Sequence, residues 1–163
     1  MFVTFALMLQ STLSATNVSA DVPMAAPTTR PSFADEFNGR RIDAAKWLFD
    51  THRNKTGWYN NELQYYADGR PQNARIEKGA LVIEARQESL KGKVADWGGQ
   101  AYTSAKLVTR QRYGYGTYEV RMKTADGSGL NSAFFSYIGP ADKKPHDEID
   151  FEVLGKNPAK VQQ

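Results

Sequence analysis

Residues 146–154 read HDEIDFEVL: His146, Asp147, Glu148, Ile149, Asp150, Phe151, Glu152, Val153 and Leu154. From Glu148 to Val153, acidic and apolar residues alternate strictly. A period of two belongs to the β-strand, whose successive side chains point to opposite faces of a sheet. Glu148, Asp150 and Glu152 therefore share one face with His146, while Ile149, Phe151 and Val153 share the other. The apolar face places the strand on a core. The acidic face gathers three like charges, with same-face neighbours roughly 6–7 Å apart at Cα. Charges that close oppose one another's ionisation, so at least one carboxyl should keep its proton to higher pH.

The rest of the chain keeps the same period. Arg75–Ala85 predicts two short strands around a turn in which Gly79 supplies a positive φ. Tyr115–Lys123 alternates, with Tyr118, Val120 and Met122 on one face and Glu119, Arg121 and Lys123 on the other. Ser132–Ile138 is apolar on both faces. Clusters of Gly, Pro and Asp at 67–71, 125–129 and 139–142 separate these runs. Nowhere does an apolar period of 3.6 persist for three turns. The expected fold class is all-β, a sandwich of the jelly-roll type.

Composition narrows the function classes. The chain has 163 residues, a length suited to one domain, and carries 21 Lys and Arg against 18 Asp and Glu. A net charge of +3 with no block of basic residues gives no electrostatic footprint for nucleic acid. The absence of cysteine excludes a disulfide framework, thiolate metal sites and a cysteine nucleophile. Phe2–Leu9 is apolar but too short to span a bilayer, so no stable membrane anchoring is expected. A polar, small-residue segment follows, and Val18-Ser19-Ala20 fits a cleavage site. Residues 1–20 thus read as a signal peptide, although no Lys or Arg precedes the apolar run. The expected location is secreted, either extracellular or periplasmic. Residues 21–32, rich in Pro, Ala and Thr, read as a linker. Residues 33–163 remain for a folded domain, about 130 residues, enough for a seven-stranded sandwich. Yet the chain stops after LGKNPAKVQQ, where another strand is starting. The expectation is the N-terminal portion of a longer domain.

Three roles suit an acidic strand face: acid/base chemistry, a divalent cation site, or a purely structural surface. Calcium is usually held by loops that wrap six to eight oxygens around it, whereas a strand presents carboxylates in a row. A row suits a polymer lying across it. Retaining glycosidases need two carboxyl groups about 5–5.5 Å apart, but Cα atoms four residues apart on a straight strand are nearer ~13 Å. Glu148 and Glu152 could work as a pair only on a bent strand with the side chains leaning together.

The segment EIDFE resembles the E-x-D-x-E signature of glycoside hydrolase family sixteen, which includes lichenases, laminarinases, carrageenases and xyloglucan transglycosylases. YNNELQYY (59–66), YTSAKLVT (102–109), YGYGTYEVRMK (113–123) and FFSYIGP (134–140) look like that family in its order. DEIDFEVLGKNPAKVQ is similar to the bacterial lichenase branch and to endo-β-glycanases that trim succinoglycan-type exopolysaccharide. The resemblance runs from about Phe33 to the last residue. It implies a concanavalin-like curved jelly roll with a sugar-binding cleft on the concave face, which would supply the bend. It also implies that Glu148 is the nucleophile, Glu152 the general acid/base and Asp150 the residue that orients them, with retention of anomeric configuration.

The same resemblance nominates the substrate-binding residues. Phe135 and Tyr137 would line the cleft, with Phe134 in the core. Gln162 would lie beside the acid strand, and Trp58, Asn61 and Glu62 in a loop over the glycone side. Lys106 occupies the family's basic position in S-[GA]-[RK]. His146 departs from the lichenase pattern, which has Trp there; by parity it borders the cleft, where it would meet a sugar or an acidic substituent. Many laminarinases insert a Met after the central Asp; here nothing is inserted. That favours mixed-linkage β-1,3-1,4-glucan or a succinoglycan-like exopolysaccharide over pure β-1,3-glucan. No cofactor is required, though a structural calcium ion on the convex side is common in the family; its metal ligands are left unassigned. A monomer is expected. The competing function is a non-catalytic carbohydrate-binding module or pseudo-enzyme.

Overall fold

The computed structural model describes residues 2–9, 31–96 and 99–162. Among them the regular structure is ten strands and two short 3₁₀ turns. The strands are β1 (Phe2–Leu9), β2 (Trp47–Phe49), β3 (Gln64–Tyr66), β4 (Ala74–Glu77), β5 (Ala80–Ile83), β6 (Arg86–Gln87), β7 (Tyr102–Ser104), β8 (Lys106–Thr109), β9 (Leu130–Ile138) and β10 (Asp147–Leu154). They form a five-stranded sheet in the order β10-β9-β1-β8-β2, a three-stranded sheet β3-β7-β6, and the two-stranded pair β4-β5. The all-β expectation is what the chain adopts.

The predicted hairpin is β4-β5. Glu77 pairs with Ala80, and Lys78 and Gly79 turn the chain with φ of 53° and 72°. Two successive positive φ values match the right-handed twist of the flanking strands, and Gly79 adopts one without the Cβ clash.

The predicted strand at Tyr115–Lys123 is not in any ladder. It keeps its alternation only in part: Tyr118 and Val120 are half-buried and Glu119, Arg121 and Lys123 exposed, but Met122, expected on the apolar face, is exposed too. The reason lies in the large sheet. β1 runs antiparallel to both β8 and β9, so those two strands are parallel to each other with β1 between them. A meander leaving β8, passing through 113–123 and returning as β9 would place the alternating segment in that same position. The N-terminal run Phe2–Leu9 holds it instead. Eight residues without charge or proline can pair along both edges, as an inner strand must. The stretch read as the apolar part of a leader is therefore an inner strand here. The rest of that expectation, residues 10–20 with the cleavage site, and the linker up to residue 30 lie outside the described residues.

The two faces of the large sheet have different work. On one, Trp47, Phe49 and Leu107 meet Ala74, Leu81 and Ile83 of the hairpin, and Phe33, Phe37 and Ile42 of the incoming chain close over them. Trp47 is fixed by its indole N–H, which donates to Asp35 Oδ2 at 2.9 Å, and by the edge of Phe33 at 5.4 Å. Each such side chain contributes about 1.5–3 kcal/mol by leaving water. On the other face, Trp58 and Tyr66 pack on Ala133 and Phe135 of β9. Their rings meet edge to face at 4.6 Å, a favoured aromatic geometry.

Candidate active site

β10 pairs with β9 residue for residue, from Asp147 opposite Ile138 to Leu154 opposite Asn131, without a bulge. Residues directly opposite in an antiparallel pair share a face. Glu148 is therefore beside Tyr137, Asp150 beside Phe135 and Glu152 beside Ala133, all on the face over which Trp58 and Tyr66 pack. Phe151 lies opposite Phe134 on the reverse face, with ring centroids 6.1 Å apart. The predicted parity holds: Phe135 and Tyr137 line the acidic face and Phe134 the core. One part of the apolar prediction does not hold. Val153 is buried, but Ile149 is 52% exposed, beside the small Ser136 rather than a bulky neighbour.

The register continues across the sheet. Glu152, Ala133, Ala6 and Lys106 occupy one row over four strands. Gln162 closes the other edge: it exchanges both backbone hydrogen bonds with Glu152, at 2.9 and 2.7 Å. Gln162 thus lies beside the acid strand.

Burial and crowding weaken the acidity of two of the three carboxyls. Burial, followed by the charges of Glu148 and Glu152, pushes Asp150 up to about 6, against a partial offset from His146. Glu152 is also raised, by burial first and by the charge of Glu148, while a hydrogen bond from Asn131 opposes the shift. Glu148 accepts a hydrogen bond from His146 Nε2 at 2.8 Å. Two neighbouring carboxyls that hold a proton more readily than usual, beside a third that is hydrogen-bonded, are the ingredients of a row with divided roles.

The loop facing this row is pinned by Asn54, which is 1% exposed. Its Nδ2 donates to the Tyr66 carbonyl at 2.8 Å, and its Oδ1 accepts from the Tyr66 amide and the Trp58 indole, both at 3.0 Å. Glu62 accepts from Gln64 Nε2 at 2.6 Å and the Tyr66 hydroxyl at 3.1 Å. Its acidity is weakened chiefly by burial, with a further push from the charge of Glu152, which places Glu62 within electrostatic reach of the acid strand. Asn61 ends an exposed 3₁₀ turn with a φ of 56°. Trp58 corrects the simple picture of an open loop residue. It is 6% exposed, and it packs on Tyr66 and Ala133 because its indole N–H is tied to Asn54.

Lys106 projects onto the same face. Its ammonium pairs with Asp50 at 3.1 Å and lies 4.8 Å from the centre of the Trp58 ring and 5.4 Å from that of Phe135. Both partners of the ion pair are largely buried. Burial alone would raise Asp50, but Lys106 and His52 outweigh it and hold the carboxyl below its ordinary range.

Two residues of this assembly escape the sequence pattern. Asn131 is fully buried at the start of β9, with the parity of Phe135 and Tyr137, and supports Glu152. Its signal is a polar residue on the cleft parity, one position before the predicted strand Ser132–Ile138. Asp50 gave no signal, since only the fold brings it to Lys106. Among the described residues no group of three or more His, Asp or Glu side chains is gathered to hold a metal ion.

A row of carboxyls on a sheet face flanked by aromatic rings is an arrangement that glycoside hydrolases use. The chain belongs to the glycosyl hydrolases family 16, whose family model matches residues 72–163. It is 47% identical over 131 residues to the endo-1,3-1,4-beta-glycanase ExoK of Rhizobium meliloti (strain 1021), covering 80% of this chain and 43% of that protein. It is 35% identical over 162 residues to a beta-glucanase of Rhodothermus marinus, covering 94% of this chain and 54% of that one. Among solved structures, a crystal structure of a mutant of SCLam, a non-specific endo-beta-1,3(4)-glucanase, aligns with a TM-score of 0.79 and 45% identity. That match covers 87% of this chain and 57% of the SCLam chain, and the mutant presents a 1,3-beta-D-cellobiosyl-glucose at its active site. The chain thus has the jelly-roll sandwich of this family, and it spans about half the length of the relatives it matches.

Proposed function

We propose that the protein is a secreted endo-β-glycanase that hydrolyses β-1,3-1,4-linked glucan or a succinoglycan-like exopolysaccharide with retention of configuration. The observation that carries this reading is the shared face of Glu148, Asp150 and Glu152 beside Phe135 and Tyr137. Glu148, hydrogen-bonded by His146, attacks the anomeric carbon as a carboxylate while Glu152, its acidity weakened by burial, protonates the departing glycosidic oxygen. A covalent glycosyl ester forms on Glu148 and the aglycone leaves. Glu152, now a carboxylate, takes a proton from water as the water attacks the same carbon, and Glu148 is released. Asp150 sits between them, where it orients Glu148 and helps to hold the proton on Glu152. The two carboxyls and a water molecule supply every proton and bond of this cycle. Phe135 and Tyr137 offer ring faces to the C–H surfaces of the sugars, and Glu62, Asn61 and Gln162 border the ends of the row.

Support for the substrate comes from two sources. The strand carries no inserted residue between Asp150 and Glu152, and its pairing with β9 is unbroken. The relative of 47% identity bears the name of an endo-1,3-1,4-beta-glycanase. The test is release of reducing ends from barley β-glucan, succinoglycan and laminarin by the full-length protein, with the anomeric form of the first product read by proton NMR. New reducing ends in the β-configuration from either of the first two substrates are expected. Binding to glucan with no new reducing ends would favour a carbohydrate-binding role instead.

A further inference from the structure

The imidazole of His146 is held from two sides. Its Nε2 meets Glu148 Oε2 at 2.8 Å, and its ring lies 5.6 Å from that of Tyr137, tilted by 49°. Tyr137 is itself the cross-strand partner of Glu148, so one β9 side chain backs the histidine that touches the carboxyl beside it. The Tyr137 ring is fixed in turn by Gly139: a Cβ at that position would collide with the Tyr137 hydroxyl, so the phenol can lie back over the bare backbone. His146 remains 61% exposed at its side chain, yet its orientation is set. We propose that His146 is a positioning residue for Glu148: its Nε2–H holds the attacking carboxylate in place and favours the ionised state that attack requires.

The neighbourhood explains why such a partner is needed. On its own strand Glu148 shares a face with Asp150 and Glu152, and its charge weakens the acidity of both. From β9 the facing group is the neutral Tyr137. Across the row Glu62 adds negative charge near Glu152, and the Lys106 ammonium is engaged by Asp50. At the Glu148 end of the row, His146 brings a donor and, when protonated, a positive charge. Its charge also reaches Asp150, where it opposes the effect of the two glutamates. A protonated imidazole donates from Nε2 as an ion, and the neutral Nε2–H tautomer still donates, so the bond persists as pH rises while its electrostatic part is lost.

This inference rests on the assignment of Glu148 as nucleophile, and the experiment separates the two. In the full-length protein, His146→Ala should move the acidic limb of kcat/KM for barley β-glucan upward by roughly half to one pH unit. KM and the basic limb should stay where they are. His146→Gln, which keeps an N–H donor but no charge, should recover most of kcat near neutrality while leaving part of the shift. In parallel, NMR of the Glu148 carboxyl carbon should show its titration midpoint move upward in His146→Ala. An acidic limb that stays in place, or a loss of rate by the same factor at every pH, overturns the proposal. If the parent protein cleaves no glucan, the hydrolase reading falls, and the carboxyl titration alone decides the His146–Glu148 pairing: an unmoved midpoint rejects it.

Discussion

Replacing Asp150 with Asn should stabilise the protein at neutral pH while impairing its chemistry. Asp150 is half-buried between two glutamates, and its acidity is weakened from 3.8 to about 6. Each pKa unit corresponds to about 1.36 kcal/mol, so ionising Asp150 in the folded state costs about 3 kcal/mol more than in the unfolded chain. Solvent reaches part of the group and screens the repulsion, which reduces the figure to ~1–2 kcal/mol. The sign follows from proton counting. Between pH ~4 and ~6 the folded state binds more protons at this site than the unfolded state, so stability falls as pH rises through that window. Above it the penalty is complete; below it there is none. An Asn side chain is neutral throughout. The variant should therefore unfold about 2–6 °C higher than the parent at pH 7.5, with the advantage vanishing below pH 4. Thermal unfolding of both proteins at the two pH values, followed by circular dichroism, measures this directly. A variant less stable than its parent at pH 7.5, or a difference that does not change with pH, would refute the reasoning.

Other expectations follow from the same geometry. Glu148→Gln and Glu152→Gln should each lower kcat on β-glucan by 10²-fold or more, with glucan binding retained in affinity electrophoresis; full activity in both would remove the assignment of roles. Gly155→Ala should cost about 1–3 kcal/mol, read as a lower urea midpoint, because a Cβ there would collide with the Gly127 carbonyl oxygen beneath the start of β9. Deleting residues 1–20, as export with cleavage would, empties the position between β8 and β9. Amide exchange at residues 118–122 should then slow markedly as the alternating segment takes that position; unchanged exchange there, with faster exchange in β8 and β9, would count against it.

The acidic face was legible because it depends on parity alone. Once Glu148 to Val153 are a strand, the two faces follow from backbone geometry, and the same rule sends Phe135 and Tyr137 to the site and Phe134 away from it. The hairpin at Lys78-Gly79 was legible for a similar reason, since a two-residue turn with positive φ is a local demand. What stayed hidden was decided between distant segments. Asp50 meets Lys106 only after β2 and β8 pair, and Trp58 is drawn inward by Asn54, whose amide also ties down Tyr66. Nothing in the periodicity of either neighbourhood encodes those meetings.

The segment at Tyr115–Lys123 carries the lesson furthest. Its alternation predicts a strand, and its connections to β8 and β9 predict which position it should take. Periodicity states what a segment can pair with, however, and does not state which of two suitable segments wins. Phe2–Leu9 is uncharged along its whole length, whereas the later segment would have to bring Glu119, Arg121 and Lys123 into the middle of the sheet. Those charges would lie on one face and could remain in water only if that face is open. The faces of β8 and β9 are already covered in part, by Trp58 and Tyr66 on one side and by the hairpin on the other. In the intact chain the uncharged segment thus meets less desolvation cost at the shared position. Removing it leaves the alternating segment as the remaining strand with the right connections, which is why processing at the N-terminus would bear directly on the sheet that carries Phe135, Tyr137 and the three acids.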